Sequence, residues 1–231
     1  MKTLLVIILL VLTACSPIPT TKPGEHSILA DSNCTLPCWH GITPGSTTKQ
    51  ELLQVLSGLP LVNQDSITVT RSVNEAFDEY VEFTMGEGPV YLKQDQGAPL
   101  KQDYVWSGTA ALRNDRVLEI DLRGDLGLTF GGLVDRFGEP TYLIPSPTPG
   151  LHIWVEALDP SKGLDFGYRA DDEDSEITPG TPITGILLFD PASYQELTAH
   201  QTFLYQAHGP RQIEAQLWKG YGKIRMYWPA E

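Results

Sequence analysis

The amino-acid sequence predicts an α+β fold of two similar halves, each a short helical layer packed on an antiparallel sheet. Three observations carry the expectation. Two short segments, beginning near residues 48 and 129, place apolar residues at helical spacing. Each is followed by a long stretch in which apolar and polar residues alternate. No crossover helix separates neighbouring strand candidates, which points to antiparallel pairing. Of the 231 residues 41% are apolar, enough for one sizeable core or two small ones. The expected organisation is a leader over residues 1–14, a tether over 15–32, and helix-plus-sheet halves over 33–125 and 126–231.

The leader opens on Lys2, runs through about nine apolar residues from Leu4 to Leu12, and closes on small residues before Cys15. Such a run is far short of the roughly 20 residues that span a bilayer. Leu12-Thr13-Ala14-Cys15 resembles the lipobox of bacterial lipoproteins. The resemblance implies cleavage before Cys15, attachment of diacylglycerol (palmitate-type chains) to its thiol, and capture on a membrane surface outside the cytoplasm. An ordinary secretory signal cleaved near Ala14 is the alternative, and it exports the chain equally. Residues 16–30 hold three prolines and few large apolar groups, so they read as an extended, flexible tether. At roughly 3 Å per residue it reaches up to about 45 Å.

The chain has three cysteines. If Cys15 carries lipid, Cys34 and Cys38 are an even pair in an oxidising compartment, and a disulfide is the preferred reading. Its short loop stabilises less than the about 3 kcal/mol expected of a 15-residue loop. Free or metal-binding thiols are the alternative, although two cysteines alone make a poor zinc site.

Thr48 and Glu51 have capping-box spacing; Leu52, Leu53, Val55 and Leu56 recur at helical intervals; Gly58 and Pro60 close the run. From residue 66 to 124 the period becomes two, and β-branched and aromatic residues over Ile67–Val69, Phe77–Phe83, Val105–Ala111 and Val117–Leu122 predict about four strands. Arg113-Asn114-Asp115-Arg116 reads as the tight turn joining the last two, because Asn and Asp tolerate positive φ. Thr129 to Pro140 then repeats the earlier pattern. Both copies share Thr-x3-Leu-(Leu/Val)-x2-(Leu/Phe) and a closing Gly-x-Pro, with Ser57 a one-residue insertion, and chance similarity is the alternative. A second strand set is expected at 142–144, 152–157, 164–168 and 184–189, a helix within 191–207, and one or two terminal strands within 216–228.

A helix opened by Pro-Gly-x-Thr or Gly-x-Thr, closed by Gly-x-Pro and followed by antiparallel strands, resembles the small lipoprotein of the bacterial outer-membrane barrel-assembly machine. In tandem it also resembles the secreted β-lactamase inhibitor proteins. The resemblance covers about 30 residues, 42–60 and 128–140, and implies a helical layer on a curved sheet that binds proteins without catalysis. The stretch from Cys34 to Gly45 resembles the start of uncharacterised bacterial lipoproteins.

Charge narrows the partners: 29 Asp and Glu against 16 Lys and Arg give a formal charge of −13. No basic stripe is visible, which argues against nucleic acid and against charge-driven binding to anionic lipid. Any membrane attachment therefore rests on acyl chains. Searches for catalytic, cofactor and metal motifs end without a candidate. No Gly-x-Ser-x-Gly elbow is present, and Ser107 falls within a strand pattern. The histidines (His26, His40, His152, His200, His208) form no His-x3-His or His-Glu-x2-His pair; metal ligation by His200 and His208 is weighed against structural roles. The acidic run Asp171 to Glu176 suits calcium or a solvated loop, but lacks EF-hand spacing. Gly127, Gly131 and Gly132 form no dinucleotide fingerprint.

Five tryptophans and nine tyrosines remain as binding material. Trp106 and Trp154 are the candidates for an exposed, partner-binding sheet face, while Trp39 is expected to pack on the cysteine loop. The leading expectation is a non-enzymatic, lipid-anchored module that recognises a protein or envelope component. The alternatives are a small-ligand carrier or sensor, and a hydrolase assembled from distant residues.

Overall fold

Apolar alternation in the longer strands builds a nine-stranded antiparallel sheet. The computed structural model describes residue 29 and residues 34–73, 76–86, 106–148, 152–199 and 215–228. Cys15, the tether, His26, His200, His208 and most of the late helical segment lie outside them. The strands are β1 (Thr68–Arg71), β2 (Glu79–Met85), β3 (Trp106–Arg113), β4 (Arg116–Thr129), β5 (Tyr142–Thr148), β6 (His152–Asp159), β7 (Leu164–Ala170), β8 (Glu176–Ile177), β9 (Pro182–Phe189), β10 (Gln216–Leu217) and β11 (Gly222–Lys223). Sheet order is β1-β2-β3-β4-β9-β7-β6-β5-β10, and β8 pairs with β11 apart from it. The protein is thus α+β with a large antiparallel sheet and few helices: α1 (Lys49–Gly58), α2 (Phe130–Phe137) and α3 (Tyr194–Ala199). Among the described residues no helix is long and apolar enough to cross a membrane.

Both predicted helices start where their caps stand. Thr48 accepts from the Glu51 amide and the Glu51 side chain answers at the Thr48 amide, a complete capping box. Thr129 caps α2 through the Gly132 amide at 3.1 Å. Their ends differ. α2 stops at Gly138 with φ +83°, a left-handed conformation that favours glycine, whereas α1 ends on an extended Leu59. The hairpin at Asn114 and Asp115 has φ of 52° and 63°, the two positive values a tight antiparallel turn requires.

Leu52 and Leu56 of α1 and Phe130 and Leu133 of α2 enter one core with Val81, Phe83, Ile120, Leu122, Val155, Phe166 and Ile186, so both helices lie on the same sheet face. Full burial of each such side chain is worth about 1.5–3 kcal/mol. On the opposite face a smaller cluster packs Phe77, Leu197 and Tyr194 on Ala111, Leu118, Leu158, Leu187 and Phe189.

Several expectations are refined. β1 is a fully exposed edge strand, because α1 and the main core do not extend over it. The terminal segment forms two-residue strands and then a 3₁₀ turn over Ile224–Tyr227. Residues 125 and 126, the expected boundary between halves, lie inside β4. Trp39 is buried in the main core and stacks on Phe83 at 5.8 Å rather than merely covering the cysteine loop. Cys34 and Cys38 stand at disulfide distance, Cα atoms 5.4 Å apart.

Candidate functional site

The sheet face turned away from α1 and α2 gathers charge where strand register brings it together. Asp121 of β4 and Asp165 of β7 flank Leu187 of β9 in one cross-strand row. In the next row Arg123 of β4 and Glu156 of β6 stand either side of Gly185 and Gly167. The two glycines leave the middle of that row without side chains, and Trp154 fills the adjoining space. A Cβ on Gly167 or Gly185 would lie 3.3 or 3.4 Å from Trp154 Cζ2. The result is a hollow lined by Asp121, Arg123, Trp154, Glu156, Asp165 and the glycine floor, with about 20 Å³ open to a water-sized sphere. That is room for one or two waters, well below the roughly 300 Å³ of a drug-sized ligand pocket.

Internal bonds fix its walls. Arg123 Nε donates to Asp121 Oδ2 at 2.6 Å, and its guanidinium lies 5.8 Å from the Trp154 ring centroid. The Trp154 indole N–H donates to Glu156 Oε1 at 3.1 Å. Asp165 is 4% exposed, and its Oδ1 is buried without a hydrogen-bond partner.

Burial pushes the Asp165 carboxyl well above the usual carboxylate range. The negative charges of Glu156 and Asp121 add to that, opposed by Arg123 and the Phe166 amide. Asp121 moves the same way for the same first reason, although its ion pair with Arg123 resists. Asp159 is the contrast. Burial acts to raise it too, but the Lys162 ammonium at 2.5 Å and the Ser161 hydroxyl at 2.6 Å outweigh burial, and the net shift is downward.

The predicted aromatics separate. Trp154 is half-buried on this face, whereas Trp106 is placed by its pairing with Met85 and packs against the main core beneath the helices. The two indoles therefore lie on opposite faces of the sheet. Alternation fixes that successive residues oppose each other, but not which set faces the helices.

The acidic run is pinned by cations from the C-terminal segment. Arg225 bonds Glu173 and Asp174 at 2.8 and 3.2 Å, and Lys223 reaches Asp174 at 3.4 Å. Asp172 Oδ1 meanwhile accepts from the Asp174 and Ser175 amides. His40 packs edge-on against Trp39 beside the cysteine pair, and His152 is half-buried at the start of β6. Among the described residues no group of three His, Cys, Asp or Glu side chains could hold a metal ion. The hollow is lined by no Ser, Thr, Cys, His or Lys side chain.

Sequence reasoning missed Asp121, Arg123, Glu156 and Asp165. The available signal was four acids beside apolar residues in three strand segments, Glu119-Ile120-Asp121, Val155-Glu156-Ala157 and Leu164-Asp165-Phe166. Comparison of the chain with protein-family models, characterised proteins and solved structures found no match.

Proposed function

We infer that this chain is a non-enzymatic binding module, lipid-anchored at Cys15 outside the cytoplasm, that engages a protein partner through the sheet face carrying Trp154. One observation carries the reading: α1 and α2 both pack on a single face, and the other face presents a half-buried indole with charged neighbours. Tryptophan held in this way supplies contact area at low entropy cost. The small volume of this hollow does not suit a drug-sized ligand.

The tandem organisation belongs to the same proposal. Strand order supports two helix-led meanders, α1-β1-β2-β3-β4 and α2-β5-β6-β7-β9, joined through their last strands β4 and β9. Thr48 and Thr129 are equivalent caps, and Leu52 and Leu133 equivalent buried residues. This arrangement is the one that the resemblance to tandem inhibitor proteins implies.

The test is affinity capture from native membranes with the anchor intact, comparing wild type with Trp154→Arg. A protein recovered with wild type and lost with the variant supports the reading. Equal recovery by both places the interface elsewhere.

A further inference from the structure

β1 is the end strand of the large sheet, and all of its residues are exposed. Three hydrogen bonds fix which way its backbone points. The Thr84 amide donates to Ser66 Oγ at 2.8 Å, the Thr84 carbonyl accepts from the Asn63 amide at 2.9 Å, and the Ser72 amide donates to the Asp78 carbonyl at 2.9 Å. Even-numbered residues of β2 therefore turn their amides and carbonyls toward β1, where the antiparallel register meets them with Thr68 and Thr70. Val69 and Arg71 alternate with these and aim their N–H and C=O groups off the sheet, where no described strand pairs with them.

The opposite end of the sheet is closed to pairing. The Trp218 amide donates to the Thr141 carbonyl at 3.1 Å as β10 pairs with Tyr142 and Leu143, which turns the odd-numbered residues of β5 outward. The outward positions beyond β10 are Pro145 and Pro147, which have no N–H to offer. An incoming strand therefore finds donors in a row at the β1 edge and not at the other. β1 itself contains no proline or lysine and pairs with β2 without a bulge, so the usual deterrents to edge pairing are missing from it.

This edge is complementary to itself. Thr68-Val69-Thr70 reads the same in both directions. A second copy laid antiparallel with Val69 on the two-fold axis sets valine against valine, and each Thr68 against Thr70 of the other copy. The two Val69 residues then exchange both N–H···O bonds, and each Arg71 amide faces the Ile67 carbonyl across the axis. Registers centred on Thr70 or Arg71 would bring the two Arg71 side chains to diagonal or directly opposed positions, so charge selects the one centred on Val69. Val69 is 44% exposed, apolar area that the pairing withdraws from water.

We propose that β1 is a dimerisation edge, which joins the sheets of two copies of this chain into one about a two-fold axis at Val69. The proline edge stops the sheet from growing further, so the assembly closes as a dimer and does not become a filament. The contact is short and the dimer weak, with a Kd on the order of 0.1–1 mM. β1 stands six strand spacings from the β6 strand that carries Trp154, about 30 Å, so the dimer and the partner surface inferred above are independent of each other.

The test is sedimentation equilibrium of the full chain in density-matched detergent, over about 10 µM to 1 mM. Salt at about 0.15 M screens the repulsion between two chains of formal charge −13. Wild type should dimerise within that range. Val69→Lys and Val69→Glu keep the outward backbone groups but set like charges against each other on the axis, and each should weaken association at least about tenfold. An equimolar mixture of the two should associate within about threefold of wild type, which also shows that both variants are folded. A wild type that stays monomeric throughout, single variants that associate as tightly as wild type, or a mixture no tighter than its components overturns the proposal. Association through any other segment of the chain gives the second of these results.

Discussion

Trp154 donates its indole N–H to Glu156, two residues along the same strand, at 3.1 Å. Neighbours at that spacing share a sheet face, so the bond ties two side chains of β6 into one wall and holds the indole over the glycine floor. Trp154→Phe keeps much of the ring and removes the donor. It should cost about 1 kcal/mol, the net worth of a typical hydrogen bond, read as a lower urea midpoint at unchanged slope. An unchanged midpoint would mean that the bond adds nothing net.

Asp165 sets a pH dependence with a definite sign. Its folded value is raised, so below the ordinary carboxylate value of roughly 3.9 both folded and unfolded chains hold the proton and no penalty exists. As pH rises the unfolded chain ionises first, and stability falls until the folded value is passed. Asp165→Asn should lose less stability between pH 4 and 7 and be the more stable protein at pH 7. Asp121, shifted in the same direction, leaves part of the slope in place. Parallel curves for variant and wild type would contradict this.

Two glycines should respond to alanine in opposite ways. On Gly131 in α2 a Cβ would stand 2.7–2.9 Å from Pro179, including its backbone oxygen, so Gly131→Ala should cost about 1–3 kcal/mol. At Gly58, the last residue of α1, nothing lies within 4 Å, and Gly58→Ala should stabilise by about 0.5 kcal/mol. Thermal unfolding of the pair checks both signs.

The two caps predict equal treatment of two helices. Thr48→Ala and Thr129→Ala should each destabilise by about 1 kcal/mol, while serine at either position should restore most of the loss. A serine variant as unstable as the alanine one would show that the threonine methyl, not the oxygen, matters there.

Lipid attachment predicts a mass and a location. The mature chain should begin at Cys15 with diacylglycerol added, and Cys15→Ala should be found in the soluble fraction or left unprocessed. Membrane retention of that variant, with an unlipidated wild-type mass, would remove the anchor from the proposed function.

Local chemistry explains which parts of the fold were legible. Both helix starts and the 113–116 turn depend on a few adjacent residues, Thr48 with Glu51, Thr129, and the Asn114-Asp115 pair, and all stand where expected. β8 was invisible because two residues cannot show a period, whereas β10 and β11 fall within the 216–228 segment where terminal strands were expected. Val69 alternates as a half-buried strand would, yet it is exposed, because burial depends on what covers an edge. The site was hidden for a related reason. Asp121, Glu156 and Asp165 each look like one step of a solvated strand face, and only the register of β4, β9, β7 and β6 makes them neighbours.

That register also governs how the chain reaches its native state. The β4–β9 seam joins residues about 50 to 70 apart in sequence, a separation exceeded in the large sheet only by the two-residue β5–β10 pairing, so its loop must close before its contacts can form. Until then β4, the longest strand, presents an open apolar edge to other chains. During synthesis and folding this unzipped seam is an aggregation hazard, and residues that quicken its closure would raise yield without altering any contact in the finished protein.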